Sequence, residues 1–125
     1  MIVAVGLDMV EIERFAAALA RRGARFRQRL FTDQEWEACQ GRPDRLQALA
    51  ARFAVKEATL KALGTGWSRG LGFRQIELLG RRGAPPELRL HGPAHDRAVE
   101  LGVLRSHVSL THQPGIAAAV VVLEG

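Results

Sequence analysis

The sequence predicts an α+β fold, a small, mostly antiparallel sheet packed against one long central helix. Three observations carry that expectation. Residues 45–63 place Leu46, Leu49, Phe53, Leu60 and Leu63 at helical spacing, with Gly64 as a natural stop. Residues 1–7 (MIVAVGL) and 116–123 are continuously apolar and rich in β-branched side chains, the pattern of strands buried on both faces. Ser106 to His112 alternates before a Gln113-Pro114-Gly115 turn, so the last two strands read as a hairpin at the centre of the sheet.

The remaining elements follow in order. The first strand ends at Gly6-Leu7-Asp8, and Asp8 is either a chemical group exposed at a strand end or the N-cap of the next helix. Val10, Ile12, Phe15, Ala16 and Leu19 make the apolar stripe of a helix from about Val10 to Arg22, punctuated by Gly23. Thr32-Asp33-Gln34-Glu35 is a capping box that opens a short helix to about Gln40. Gly41-Arg42-Pro43 breaks it, and Asp44 can cap the central helix. On that helix Ala50, Ala54, Ala58 and Ala62 form a narrow stripe that lets another element approach closely.

A connector with four glycines spans residues 64–72 and matches neither phosphate-loop fingerprint. Phe73 to Leu79 reads as a strand, residues 81–86 as a turn, and Glu87 to His91 as a short strand. Pro93 starts a helix that Gly102 ends after Leu101. His107, Ser109 and Thr111 share one strand face, and Val108, Leu110 and His112 the other.

With 125 residues and 47% hydrophobic content, residues 1–125 read as one globular domain. The net charge of +5 is carried by arginine, since Lys56 and Lys61 are the only lysines among 18 basic residues. That points either to an anionic partner or to a genome that writes Arg for Lys. Cys39 stands alone, which excludes an intrachain disulfide and gives no support for zinc. No signal peptide and no apolar run of membrane-spanning length are present, so the expected location is cytoplasmic, with no membrane partner.

Glu57 interrupts the apolar pattern of the central helix. Phe53, Glu57 and Lys61 are each four apart and share one face. Read blandly, this is an exposed Glu–Lys pair stabilising the helix by about 0.2–0.5 kcal/mol. Read chemically, a carboxylate at a core border needs a cation, and Lys61 and a metal ion are both candidates.

Gly6-Leu7-Asp8, then Ile12 and Arg14, then Arg52-Phe53-Ala54-x-Lys56-Glu57-Ala58-x-x-Lys61-Ala62-Leu63-Gly64-x-Gly66, then Ser109-x-Thr111-His112 and Ala117 onward, together resemble the holo-[acyl-carrier-protein] synthase family. These are the short bacterial 4′-phosphopantetheinyl transferases of fatty acid biosynthesis. The resemblance runs from Met1 to about Glu124, with Val55 a mild departure where alanine is commoner.

The resemblance implies that the phosphopantetheine arm of coenzyme A passes to a serine hydroxyl of apo acyl carrier protein, with release of adenosine 3′,5′-bisphosphate. It implies Asp8 and Glu57 as ligands of Mg2+ and Lys61 beside the reacting phosphate, the three forming the catalytic set. It implies a homotrimer in which His112, with Ser109 and Thr111 nearby, comes from the neighbour of the chain supplying Asp8 and Glu57. Arg52 is the better candidate than Arg45 for the 3′-phosphate of coenzyme A. Gly64 completes the coenzyme A contacts, and the Gly83-x-Pro85 turn is expected to wall the adenine.

Two carboxylates are the ligand count that magnesium takes from a protein when phosphates and waters complete its shell. The base for the serine proton is Asp8, Glu57 or a metal-bound water, with a water held by either carboxylate preferred. Arg14, Arg21 and Arg25 offer an acidic carrier protein a docking face. The rival is a small RNA-binding module. Aromatics at 6% with no tyrosine, and the unexplained acids Asp8 and Glu57, argue for no nucleic acid partner.

Overall fold

The computed structural model describes residues 1–66, 68–81 and 83–125. Trp67 of the glycine-rich connector and Arg82 of the expected turn lie outside the described residues. The elements are β1 (Ile2–Glu11), α1 (Ile12–Leu30), α2 (Asp33–Cys39), α3 (Arg45–Leu63), β2 (Ile76–Arg81), β3 (Ala84–Leu90), α4 (Gly92–Glu100), β4 (Arg105–Gln113) and β5 (Ile116–Glu124). They form an α+β architecture with two antiparallel sheets, a three-stranded one in the order β1-β5-β4 and a two-stranded one of β2 and β3.

The central α3 lies on the three-stranded sheet against β1 and β5. Its alanine stripe is what lets it lie close. Ala50, Ala54 and Ala58 are fully buried. Opposite them, a Cβ on Gly6 would fall 1.8 Å from the Ala58 carbonyl oxygen, so only glycine fits. The capping box of α2 forms as expected, with Thr32 Oγ1 accepting from the Glu35 amide. Gly64 ends α3 in the left-handed conformation, at φ 76°.

Several expectations change. β1 continues through Glu11, and that residue, not Asp8, is the N-cap of α1. Asp8 sits inside the strand opposite Ala119. Neither β1 nor β5 is buried on both faces, because a helical layer covers only one side of the sheet. Val5, Leu7 and Met9 are exposed, whereas the alternate residues face α3. β5 is the central strand and β4 the edge. Gly23 breaks α1 at φ 73° without ending it, and the helix resumes to Leu30.

Phe73 to Gln75 is a 3-10 turn, so β2 begins only at Ile76. Residues 84–86, expected in a turn, open β3; its prolines are tolerated because β3 pairs on one side only. Asp44 is the N-cap of α3, yet its side chain makes no capping bond.

Beneath α3 lies a polar network that the sequence pattern did not announce. Lys56 is fully buried, and its Nζ donates to Glu35 Oε1 at 2.7 Å and to the carbonyls of Phe73 and Ile76. Glu35, also fully buried, accepts further bonds from the amides of Thr32 and Leu78. Thr32 Oγ1 donates to Glu77 Oε2 at 2.6 Å, and His91 Nε2 lies 3.0 Å from Glu77 Oε1. Desolvation pulls the Lys56 ammonium below its ordinary value, opposed by the Glu35 charge.

Breaking a buried pair strands the other charge, at about 3–5 kcal/mol. Lys56→Met should therefore lose that much stability in urea unfolding, and the double variant Lys56→Met/Glu35→Gln should recover part of it. Glu77 gives a pH prediction. Burial opposes its ionisation, but the bonds to Thr32 and His91 outweigh burial and hold the carboxyl below its ordinary 4.5. Its stabilisation is thus present above the unfolded-state value and lost as pH falls through the lower folded value. Between about pH 5 and 3 the urea midpoint should fall more steeply for the native chain than for Glu77→Gln.

Candidate active site

Alternation along β1 points Gly6, Asp8 and Val10 toward α3, and the close contact at Gly6 brings Asp8 up to the last turns of that helix. Lys61 meets it there. Its Nζ donates to Asp8 Oδ1 at 2.8 Å and to the Leu7 carbonyl at 3.0 Å. Asp8 is nearly covered, with 12% of its side chain exposed, while Lys61 stays in solvent at 56%. The helical Glu57–Lys61 pair that the spacing suggested does not form; Lys61 turns to Asp8 instead.

Glu57, one turn before Lys61, is half-buried. Among the described residues its side chain takes part in no hydrogen bond or ion pair. Desolvation, then repulsion from Asp8, raise its carboxyl above the ordinary value, and Lys61 only partly offsets them. The hydrogen bond to Asp8 raises Lys61 in turn, so its ammonium is firmly charged.

Glu57 borders two neighbouring grooves. One, of about 450 Å³, is lined by Asp8, Arg14, Phe15, Phe26 and Phe53 besides Glu57. The other, of about 390 Å³, is lined by Leu60, Lys61, Gly64 and Gly66 with Glu57. No cluster of three metal-ligating side chains occurs among the described residues. Two adjacent carboxylates, one lacking any partner and raised by the other, suit a hard divalent cation that takes its remaining oxygens from water and a phosphate ligand. Asp8 and Glu57 therefore fit a magnesium site, and no third protein ligand is required.

A separate groove of about 560 Å³ gathers Arg42, Asp44, Arg52, Pro85, Pro86, Ser109 and His112 from α3, β3, β4 and the segment before α3. Arg52 is only 7% exposed. Its Nε has no hydrogen-bond partner, and one of its terminal nitrogens reaches the Ala48 carbonyl only at 3.4 Å. A buried guanidinium with unspent donors suits an anionic ligand. His112 enters from the sheet face that packs on α3, opposite Ala117. Thr111 faces a third hollow, shared with Met9, His112 and Gln113.

The residues expected to bind coenzyme A thus divide within one chain. Arg52, Ser109 and His112 share one groove, and Lys61 and Gly64 share another. Of the basic face, Arg14 borders the carboxylate groove and lies 3.9 Å from Glu11. Arg21 and Arg25 are exposed, on opposite sides of the Gly23 break, so the three do not form one continuous helical row. Sequence reasoning missed Arg42, and it took Asp44 only as a cap. It also missed Phe15 and Phe26 as groove walls, since Phe15 read as part of the apolar stripe of the first helix and Phe26 fell in the basic run beyond its expected end.

Comparison with known proteins bears on this geometry. Residues 4–121 match the family described as the 4′-phosphopantetheinyl transferase superfamily. A holo-[acyl-carrier-protein] synthase from Solidesulfovibrio magneticus is 48% identical over the full length of both chains. The crystal structure of the Neisseria meningitidis holo-[acyl-carrier-protein] synthase superposes with a TM-score of 0.88 at 32% identity, covering both chains completely. The Helicobacter pylori enzyme of that name, solved in complex with coenzyme A, gives 0.83 at 28% identity over 96% of this chain and 99% of that one. On a match that spans nearly the whole sequence, the chain belongs to the 4′-phosphopantetheinyl transferase superfamily and is an enzyme of that family.

Proposed function

We propose that the chain transfers 4′-phosphopantetheine from coenzyme A to a serine hydroxyl of apo acyl carrier protein in a magnesium-dependent reaction of cytoplasmic fatty acid biosynthesis. The observation that carries the reading is the convergence of Asp8, Glu57 and Lys61 at one place, from a strand and a helix about fifty residues apart in sequence. The names of the full-length relatives and the coenzyme A complex of the Helicobacter pylori enzyme support it.

The serine oxygen forms a bond to the β-phosphorus of coenzyme A, and the phosphorus–oxygen bond to adenosine 3′,5′-bisphosphate breaks. Lys61 sets an ammonium beside that phosphate, held in line by Asp8. Asp8 and Glu57 would hold the magnesium ion, which supplies neutralisation of charge on the phosphate oxygens. A water held by Asp8 or Glu57 takes the serine proton. Arg52, with donors unspent in its groove, receives the 3′-phosphate, with Ser109 and His112 alongside, and Gly64 borders the neighbouring groove of Glu57 and Lys61. Arg14, with Arg21 and Arg25 further along α1, faces the acidic carrier protein.

The active assembly is a homotrimer. The exposed face of the three-stranded sheet carries Val5, Leu7 and Met9, opposite Val122, Val120 and Ala118 in register, an apolar surface that a second copy would cover. His112 does not share a groove with Asp8 or Glu57 in one chain, which supports its supply by the neighbour, with Ser109 and Thr111 nearby. Among the described residues no helix is long and apolar enough to cross a membrane.

Mass spectrometry of apo acyl carrier protein incubated with the chain, coenzyme A and magnesium should show a gain of one phosphopantetheine. That gain should vanish with chelator or with Asp8→Ala. A folded, coenzyme A-binding protein that leaves the carrier unmodified would remove the carrier assignment. Near-normal transfer by Asp8→Ala would remove the metal-ligand assignment.

Glu57 gives a second prediction. Its folded-state carboxyl is raised, so above the ordinary value of about 4.5 the ionised form destabilises the fold. Without metal at pH 7, Glu57→Gln should raise Tm by roughly 1–3 °C, a gain that should fade below about pH 4.5, and with magnesium present the same substitution should abolish turnover. A lower Tm in Glu57→Gln would contradict the strained-carboxylate picture.

A further inference from the structure

Asp44 breaks a local rule. It stands at the N-cap of α3, where an aspartate normally accepts from a backbone amide of the first turn and stabilises the helix by about 1 kcal/mol. Here the side chain makes no such bond. It is turned instead to Arg42, whose Nε and a terminal nitrogen donate to Asp44 Oδ1 and Oδ2, both at 2.9 Å. Two parallel bonds between a guanidinium fork and two oxygens are also how arginine grips a phosphate.

The location gives this pair its meaning. Arg42 and Asp44 line the same groove as Arg52, whose Nε is buried without a partner, and as His112. His112 lies near enough to attract the Asp44 carboxylate. Arg42, Arg52 and His112 thus line one groove with a single carboxylate, that of Asp44. The pair itself is in solvent, with Arg42 and Asp44 about 40% exposed. Separating it is therefore inexpensive.

Resting on the reading of this groove as the coenzyme A site, we propose that Asp44 is an internal stand-in for the 3′-phosphate. It occupies Arg42 in the free enzyme and must be displaced when the nucleotide enters. It lowers affinity by competing with that phosphate for Arg42. The effect is confined to ligands that carry the 3′-phosphate. It also extends the phosphate site to a residue outside the sequence motif, since Arg42 then joins Arg52 as a ligand of the same group.

Calorimetric titration with adenosine 3′,5′-bisphosphate and with adenosine 5′-monophosphate tests this. Asp44→Asn keeps a good N-cap residue and removes the charge. It should tighten the bisphosphate by about two- to fivefold and leave the monophosphate unchanged. Arg42→Gln should weaken the bisphosphate, and in that background Asp44→Asn should have no further effect. Four results would overturn the proposal: no tightening or a weakening in Asp44→Asn, equal tightening of both nucleotides, tightening that persists without Arg42, or unchanged bisphosphate affinity in Arg42→Gln. If neither nucleotide bound the native chain, the coenzyme A reading of the groove would fall, and this proposal with it. Binding of the bisphosphate that is indifferent to Asp44 would spare that reading and remove the stand-in alone.

Discussion

The buried ion pair of Lys56 with Glu35 is the constraint on which the rest of the arrangement depends. An ammonium removed from water must find acceptors, and Lys56 finds three, on α2, on the turn before β2 and on β2 itself. Those bonds fix the rotation of α3 about its own axis. Glu57 follows Lys56 in sequence and therefore points about a quarter-turn away, toward β1 and the grooves. Arg52 lies one turn before Lys56, so the same rotation buries it and carries its guanidinium to the groove under Pro85 and Pro86. A helix free to roll would place none of these groups reliably.

A second constraint sets the distance between helix and sheet. Gly6 and the buried alanines allow β1 and α3 to touch backbone to backbone. Strand alternation then delivers Asp8, two residues on, to the same side as Gly6. The result is a carboxylate bonded to Lys61 and a second carboxylate held near it without a partner. Their mutual repulsion is unfavourable in the metal-free fold, and the core contacts of α3 keep them together. The strained carboxylate Glu57 and the diverted cap Asp44 are both departures from local rules, and both line grooves.

The polar network and the exposed sheet face are of opposite character. In the Lys56 network the ammonium and both carboxylates are hydrogen-bonded inside one chain, whereas Val5, Leu7 and Met9 are exposed among the described residues. Most of the apolar packing of α3 is against the inner side of the three-stranded sheet, on β1 and β5. The three-stranded sheet has a second side that α3 leaves bare.

Some of this was legible in the linear sequence, for a physical reason. Helix boundaries at Arg45 and Gly64, the Thr32–Glu35 capping box, and the terminal hairpin follow from short-range sterics and hydrogen bonding, which act within a few residues. The motif around Arg52, Glu57 and Lys61 pointed to the family by resemblance, whereas helix spacing by itself placed only Phe53, Glu57 and Lys61 on one face. What the sequence could not determine is long-range. An apolar run looks the same whether one or both of its faces is covered, so β1 and β5 were expected to be buried throughout. Glu57 and Lys61 at helical spacing looked like partners until β1 brought Asp8 to Lys61. Asp44 looked like a cap until Arg42 folded back on it. The chemical identity of each residue was set by the sequence. Which charge met which was decided only by tertiary structure, because electrostatic partners are chosen by distance in space, which linear order does not encode.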